Sequence, residues 1–301
     1  MGCLWTLTLP SVPPELASEA AKAVFSEIRR LNAIFSDYEG DSELNRLCTR
    51  SGGPDPVPVS PELFGILSDS INISRKTGGL FDITLGPCTR LWRRSRRRGE
   101  LPEAAAIADA KSRMGWEAVE LDSARRTVHL GKPRMQLDLG GIAKGWTQDV
   151  CLRLLRERFG LSSVLLDAAG EVAAGSPPPG KESWQIGLAA SDGTQGSIPV
   201  KNANIATSGD LHQFVEIDGI RYSHIIDPAT GLGCTIEREG TVISALGALS
   251  DPLAKILCLK DAKTSLSLLC QHYPEVAARV RTASPSGPWQ TEATADFPEV
   301  K

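Results

Sequence analysis

The chain has 301 residues, of which 41% are hydrophobic and 5% aromatic, and its formal net charge at pH 7 is −3. This composition is typical of a globular protein that can bury a core without disulfides or a structural metal, and so small a net charge argues against nucleic acid as a partner. The seven cysteines are scattered and include no CxxC pair, which argues against a disulfide framework and a zinc site of the usual spacing.

The first residues predict a strand rather than a targeting segment. Trp5, Leu7 and Leu9 alternate with Thr6 and Thr8, which is the period of a half-buried strand. Residues 1–6 also fit a weak acylation pattern, but a strand built into a sheet cannot serve as a free lipid anchor. No basic region followed by an apolar region marks a signal peptide, so we expect a cytoplasmic chain, or a periplasmic one whose signal has been removed.

The first third of the chain predicts two amphipathic helices. Apolar residues recur at helical spacing over 15–35. A second helix is expected to begin at Ser60 as N-cap, with Pro61 at the first helical position, and to run to about Lys76. The arginine-rich run over 93–98 is interpreted as a solvated loop, with a docking patch for an acidic acceptor or an anionic membrane as the alternative.

Strands and helices then mix without a regular βαβ rhythm, which favours the α+β class. A helix is expected after Gly140–Gly141, with Ile142 and Trp146 on its apolar face, and two more over 252–259 and 262–270. A hairpin is predicted over 215–222. Further strands are predicted over 118–121, 128–130, 164–166, 184–188, 204–207 and 241–245.

Four segments carry residues suited to chemistry, and each also has a purely structural interpretation. Residues 79–87 (GLFDITLGP) can be a helix stop followed by a capped turn. Residues 137–145 (LDLGGIAKG) predict a strand, a glycine turn and a helix start, which can bind phosphate or simply turn the chain. Residues 205–210 and 222–231 bring a His and an Asp beside Thr/Ser-Gly loops, as an acid–base cluster or as core residues. In residues 250–255, Asp251 is explained as a helix N-cap before Pro252.

In this order, the segments 79–87, 137–145, 206–210 (ATSGD) and 224–231 (HIIDPATG) resemble the motifs of the FAD:protein FMN transferase family, or ApbE type. The N-terminal MGxxW and the run FSDY over 35–38, followed by Ser42, Glu43 and Leu44, match as well. The resemblance extends from the first strand to about residue 260, and four ordered motifs are far more specific than any one of them.

The resemblance implies one α+β domain over residues 1–301, a T-fold relative with FAD in a cleft. It implies that FAD is cleaved with the help of Mg²⁺, that FMN passes to a Ser or Thr hydroxyl of an acceptor flavoprotein, and that AMP leaves. The family's acceptors are typically subunits of membrane redox complexes.

The resemblance also implies roles for individual residues. His224 is the candidate base or flavin contact, and Asp227 shapes the same loop. The carbonyl of Ala143 and the carboxylate of Asp251 match metal ligands, and Lys255 stands at the position of the family's Thr ligand. The residues matched to nucleotide binding are Asp82, Gly140, Gly141, Lys144, Thr207, Ser208, Gly209 and Thr230.

Three positions depart from the family's pattern. Cys48 stands where an Asn is common, Ala169 replaces a glycine, and Lys255 replaces the Thr ligand. Since an ammonium cannot coordinate Mg²⁺, one hypothesis is FAD binding that depends little on Mg²⁺, with weak or absent transfer. The alternative is that Lys255 extends to solvent, that Asp251 alone anchors the metal with phosphate and water, and that activity is ordinary. Two alternatives therefore stand beside a working transferase: a non-catalytic FAD-binding protein of the same fold, and an FAD pyrophosphate hydrolase.

Overall fold

The computed structural model describes residues 2–189, 193, 195–210, 213–284 and 287–301. Helices and strands mix along the chain, which confirms the α+β class. The chain forms two compact units. We call Met1–Leu31, Ile142–Ser208 and Arg238–Lys301 the sheet unit, and Asn32–Gly141 and Gly209–Glu237 the helical unit.

The helices and strands have the following bounds in the described residues. The helices are α1 (Pro14–Phe35), α2 (Glu43–Thr49), α3 (Pro61–Lys76), α4 (Gly86–Arg98), α5 (Ala104–Ser112), α6 (Ala143–Phe159), α7 (Gly247–Leu259) and α8 (Ala262–His272). The strands are β1 (Trp5–Thr8), β2 (Val57–Pro58), β3 (Val119–Asp122), β4 (Thr127–Leu130), β5 (Leu165–Ala168), β6 (Glu171–Ala174), β7 (Trp184–Ala189), β8 (Gln195–Val200), β9 (Ala203–Ser208), β10 (Phe214–Ile217), β11 (Ile220–Ser223), β12 (Ile226–Asp227), β13 (Leu232–Gly233), β14 (Arg238–Ser244), β15 (Ala277–Ser284) and β16 (Gly287–Ala293).

The sheet unit is built on an antiparallel sheet of seven strands in the order β1-β5-β6-β9-β14-β15-β16. Neighbouring residues of β6 point to opposite faces, as the strand period requires. Ala173 belongs to a core shared with α1 and α6, whereas Val172 and Ala174 belong to a core shared with the β7–β8 hairpin. The central strands are therefore covered on both faces.

A glycine pair lets α6 and α7 approach closely at their first turns. A Cβ added to Gly145 would lie 2.0 Å from the carbonyl oxygen of Gly247, and a Cβ added to Gly247 would lie 2.4 Å from the carbonyl oxygen of Gly145. Any larger residue at either position would force the backbones apart. This contact brings the first turn of α6 beside the first turn of α7.

The helical unit contains α2–α5, the small sheet β2-β4-β3 and two hairpins, β10–β11 and β12–β13. Its core contains Cys88 and Trp92 of α4 together with Tyr222 and Ile226. The Trp92 and Tyr222 rings meet edge to face with centroids 5.6 Å apart, an arrangement that aromatic pairs favour. The segment 222–226 is thus fixed against α4.

Most of the predicted elements are confirmed. The helix expected over 15–35 is α1, and Ser60 caps α3 by accepting a hydrogen bond from the Leu63 amide at 3.2 Å. The predicted hairpin is β10–β11, and Asp218 and Gly219 both have positive φ values, 51° and 74°, as the tight two-residue hairpin turn requires.

Three local predictions are wrong. The helix expected to begin at Pro252 begins at Gly247, so Asp251 lies inside α7 and is not its N-cap. The arginine run is helical, because it forms the second half of α4. The apolar face predicted for α6 is wrong in part: Ile142 is buried, but Trp146 is only half-buried, and the buried face of the helix includes Thr147, Gln148 and Cys151. No helix in the described part of the chain is long and apolar enough to cross a membrane.

Candidate active site

The residues matched to the family's site fall in both units. The sheet unit carries Ala143, Lys144, Thr207, Ser208, Asp251 and Lys255. The helical unit carries Asp82, Gly140, Gly141, Gly209, His224, Asp227 and Thr230. Within the sheet unit the structure brings three of these, Lys144, Asp251 and Lys255, together around Glu171. Within the helical unit it brings Asp227 and Thr230 into one turn.

The sheet unit contains four charged side chains that we call the charge cluster: Lys144, Glu171, Asp251 and Lys255. The Nζ of Lys144, in the first turn of α6, pairs with Oε1 of Glu171 on β6. The Nζ of Lys255 pairs with Oδ1 of Asp251, one turn earlier on α7, the spacing at which helical side chains meet. Asp251 is 0% exposed and Glu171 5%, whereas the side chains of Lys255 and Lys144 are 23% and 25% exposed. The two carboxylates are therefore buried, whereas the two lysine side chains are partly exposed.

The pKa values within the charge cluster follow from burial and mutual charge. Burial would raise the pKa of Asp251, but the ammonium groups of Lys255 and Lys144 lower it below its usual value. Burial and the charge of Asp251 raise the pKa of Glu171 to about 7, against the opposing effect of Lys144. Burial would lower the pKa of Lys144, but Glu171 and Asp251 raise it. The charges of both lysines therefore favour the ionised form of Asp251, although only Lys255 pairs with it directly.

Glu171 is the member of the cluster to which the sequence assigned no role. Its position follows the turn Ala169–Gly170, where both residues have positive φ values, 54° and 94°. Asp167 accepts the Gly170 amide at 2.8 Å and closes that turn. Ala169 adopts the left-handed conformation that glycine would adopt without cost, so the turn is retained despite the substitution.

The donor set at Asp251 does not fit a magnesium site. Oδ1 of Asp251 is paired with Lys255, and Oδ2 accepts the Gly145 amide at 3.4 Å. Mg²⁺ requires near-octahedral oxygen ligands, but position 255 supplies an ammonium group without a lone pair. In the parts of the chain that the structure describes, no group of three or more His, Cys, Asp or Glu side chains could hold a metal ion.

The backbone around His224 is held in place by the helical unit. The Nε1 of Trp92 donates to the carbonyl oxygen of Ser223 at 3.0 Å, and the His224 amide donates to the carbonyl oxygen of Gln213 at 2.8 Å. A Cβ added to Gly233 would lie 2.1 Å from the Ser223 oxygen. His224, which is half-buried, thus sits on a segment with little freedom to move.

Asp227 and Thr230 form the turn that follows His224. Oδ1 of Asp227 accepts the Ala229 amide at 2.9 Å, and the carbonyl oxygen of Asp227 accepts the Gly231 amide at 2.8 Å. Thr230 Oγ1 accepts the Leu232 amide at 3.2 Å. These contacts are those of an Asx turn closed by a threonine hydroxyl, so both side chains shape the loop.

Two further matched segments are closed by their own side chains. Oδ1 of Asp82 accepts both the amide and the hydroxyl of Thr84, at 2.7 and 2.6 Å. Burial raises the pKa of Asp82, although the bonds from Thr84 lower it. In the glycine turn, the Gly140 amide donates to Oδ1 of Asp138 at 2.8 Å. Both segments are thus preorganised without a ligand.

Three more positions that the sequence singled out are Thr207 and Ser208, which lie on β9, and Cys48, which departs from the family's pattern. Thr207, which is exposed, shares a hydrogen bond between its Oγ1 and that of Thr241 at 3.1 Å. The buried Ser208 accepts the Cys258 thiol at its carbonyl oxygen. Cys48 is buried, and its sulfur accepts the Leu137 amide at 3.3 Å. The thiol therefore supports the backbone at the start of the 137–145 segment.

Comparison with known proteins gives a consistent result. The model of the ApbE family matches residues 1–280. The chain is 30% identical to the FAD:protein FMN transferase of Treponema pallidum, with 92% of this chain and 81% of that protein covered. It is also 30% identical to the FAD:protein FMN transferase of Klebsiella pneumoniae, with 83% and 73% covered.

Solved structures of flavin transferases have the same fold as this chain. The apo form of the flavinyl transferase ApbE of Pseudomonas stutzeri superposes with a TM-score of 0.85 at 26% identity, covering 98% of this chain and 92% of that one. The flavin transferase ApbE of Vibrio cholerae superposes with a TM-score of 0.87, covering 99% and 95%, and at 24% identity this second likeness concerns the fold alone.

Proposed function

We propose that this chain, which belongs to the ApbE family, transfers FMN from FAD to a Ser or Thr hydroxyl of an acceptor flavoprotein and releases AMP. The observation that carries the proposal is the similarity over 92% of the chain to a protein named FAD:protein FMN transferase. The four ordered motifs supply residues for the two needs of that reaction, a base and a phosphate-binding surface.

The transfer breaks the phosphoanhydride bond of FAD and forms a phosphoester bond to the acceptor. The hydroxyl oxygen of the acceptor attacks the phosphorus atom of the FMN half of FAD. The bond from that phosphorus to the bridging oxygen breaks, AMP leaves with the bridging oxygen, and the proton of the hydroxyl passes to a base. We assign the base to His224, because it is the histidine of the matched HIIDPATG motif and its backbone is fixed by Trp92 and Gly233.

The pyrophosphate of FAD requires hydrogen-bond donors and positive charge. The glycine turn at Gly140–Gly141 and the first amides of α6, which has no side-chain N-cap, are suited to phosphate. Lys144 adds an ammonium group whose pKa is raised, so it stays charged. The other proposed nucleotide contacts are Asp82, Thr207, Ser208, Gly209 and Thr230, and Asp227 is proposed to position His224.

We propose that the acceptor is a subunit of a membrane redox complex. We also propose that residues 1–301 form a single functional domain. Magnesium has no step in this proposal, because the residues at Asp251 and Lys255 do not fit it.

The test measures the release of AMP by chromatography. The protein is incubated with FAD, with and without an acceptor subunit that carries its Ser or Thr site, and the acceptor is checked for covalent flavin fluorescence. We expect AMP and covalent FMN to appear together and only when the acceptor is present. Bound FAD with no AMP in the presence of acceptor would instead support a non-catalytic FAD-binding protein. AMP released equally without acceptor would support an FAD pyrophosphate hydrolase.

A further inference from the structure

The place where the family's metal is expected is already occupied by a cation of the chain itself. We propose that the ammonium group of Lys255 replaces the divalent cation, so that this protein binds FAD without a metal ion. The inference rests on the proposed function in one respect, that FAD is the ligand.

The first reason is the geometry of the Asp251–Lys255 pair. The two residues lie one turn apart inside α7, so their side chains project from the same face of the helix. Lys255 Nζ contacts both Oδ1 of Asp251 and its carbonyl oxygen, the latter at 3.4 Å. An ammonium group has three N–H donors, so one further donor is available for a phosphate oxygen.

The second reason is the burial of Asp251. With its side chain at 0% exposure, Asp251 needs a compensating charge, because an unpaired buried carboxylate is strongly unfavourable. A hydrated Mg²⁺ ion could take this role only if Lys255 were displaced, and the displaced ammonium would remain on the same helix face beside a double positive charge. The pair therefore excludes the metal by charge as well as by geometry.

The third reason is that the rest of the charge cluster fits a phosphate better than a metal. Lys144 contributes a second ammonium from the first turn of α6, and both lysine side chains keep about a quarter of their surface exposed while the carboxylates are buried. Two partly exposed lysine side chains in one cluster supply the positive charge that a pyrophosphate requires.

The primary test measures metal binding directly. Mn²⁺ binding is followed by electron paramagnetic resonance for the parent, for Lys255→Thr and for the control Lys263→Thr, an exposed lysine of α8. We expect Lys255→Thr to bind one Mn²⁺ ion, and the parent and the control to bind none. A parent that binds Mn²⁺ and loses it in Asp251→Asn would overturn the proposal.

The second test measures FAD affinity by flavin fluorescence in EDTA and in Mg²⁺. We expect the same affinity in both conditions for the parent and the control. Lys255→Thr should lose about ten- to a hundredfold in EDTA, the effect of one charge-assisted hydrogen bond, and should recover in Mg²⁺. A parent that binds FAD only with Mg²⁺ overturns the inference while leaving the proposed function intact. If no variant binds FAD in either condition, the proposed function fails, and the Mn²⁺ measurement still decides the role of Lys255.

A second substitution distinguishes the loss of the Lys255 charge from a folding defect. Lys255→Gln keeps hydrogen-bond donors and much of the length but removes the charge. If Lys255→Thr unfolds, Lys255→Gln is expected to show the same loss of FAD affinity in EDTA. Unchanged affinity in EDTA for a folded Lys255→Gln would contradict the proposal.

Discussion

At the scale of single residues, His224 illustrates how the fold turns a common residue into a candidate base. In the sequence, a lone histidine flanked by apolar residues is more often a core side chain. In the structure, Trp92 and Gly233 hold the backbone at Ser223, and the Asp227 turn follows directly. This rigidity is what a group that accepts a proton from a positioned hydroxyl requires.

We therefore predict that His224→Ala retains FAD affinity but slows FMN transfer by about 10²–10⁴-fold, the usual contribution of a positioned acid–base group. The measurement is the rate of AMP release with acceptor present, alongside an FAD titration. His272→Ala, at the end of α8, is the matched control and should transfer at the parental rate. If His224→Ala also transfers at the parental rate, His224 is a core residue.

Arg93 shows why the arginine run could not be assigned from sequence. Its guanidinium pairs with Asp37 at 2.5 Å and with Asp138 at 3.5 Å, and it stacks over the Tyr38 ring. Arg94, Arg97 and Arg98 of the same helix are exposed. The run thus mixes a structural arginine with solvated ones, a difference set by long-range partners that the local sequence does not contain.

At the scale of elements, the crossing of α6 and α7 positions the charge cluster. Gly145 and Gly247 are in backbone contact, and Asp149 of α6 caps α7 by accepting the Gly247 and Ala248 amides at 2.8 and 2.9 Å. The cap explains why α7 begins one turn before the predicted Asp251. A helix N-terminus is usually read from the residue just before it, whereas here the capping carboxylate comes from a helix about one hundred residues earlier.

We predict that Gly145→Ala disturbs this crossing, because the added Cβ would lie 2.0 Å from a backbone oxygen of Gly247. The free energy of unfolding should fall by about 1–3 kcal/mol, as for other overpacked sites, and FAD affinity should fall with it because Lys144 shifts relative to Asp251. Urea denaturation and an FAD titration measure the two effects.

The matched control is Gly187→Ala, since a Cβ at Gly187 has no neighbour within 4 Å. It should leave both quantities close to the parental values. Equal behaviour of Gly145→Ala and Gly187→Ala would show that the close contact does not constrain the site.

At the scale of the whole molecule, the sequence predicted more of the family and the elements than of their arrangement. Periodicity located α1, α3 and the β10–β11 hairpin, because each is determined by neighbouring residues. The order of the seven-stranded sheet pairs β1 with β5 and β6 with β9, and nothing local specifies such partners. The motifs likewise predicted Lys144, Asp251 and Lys255 as site residues. That Glu171 belongs to the same charge cluster became clear only from the packing of these side chains.

The assignment of flavin transfer depends first on whether the protein binds FAD, so the most direct measurement is an isothermal titration of the purified parent with FAD, in EDTA and in Mg²⁺. We predict a dissociation constant in the micromolar range or tighter, corresponding to about −8 kcal/mol or better, with a matching change in flavin fluorescence. The absence of both heat and any fluorescence change at saturating FAD, in either condition, would contradict the assignment.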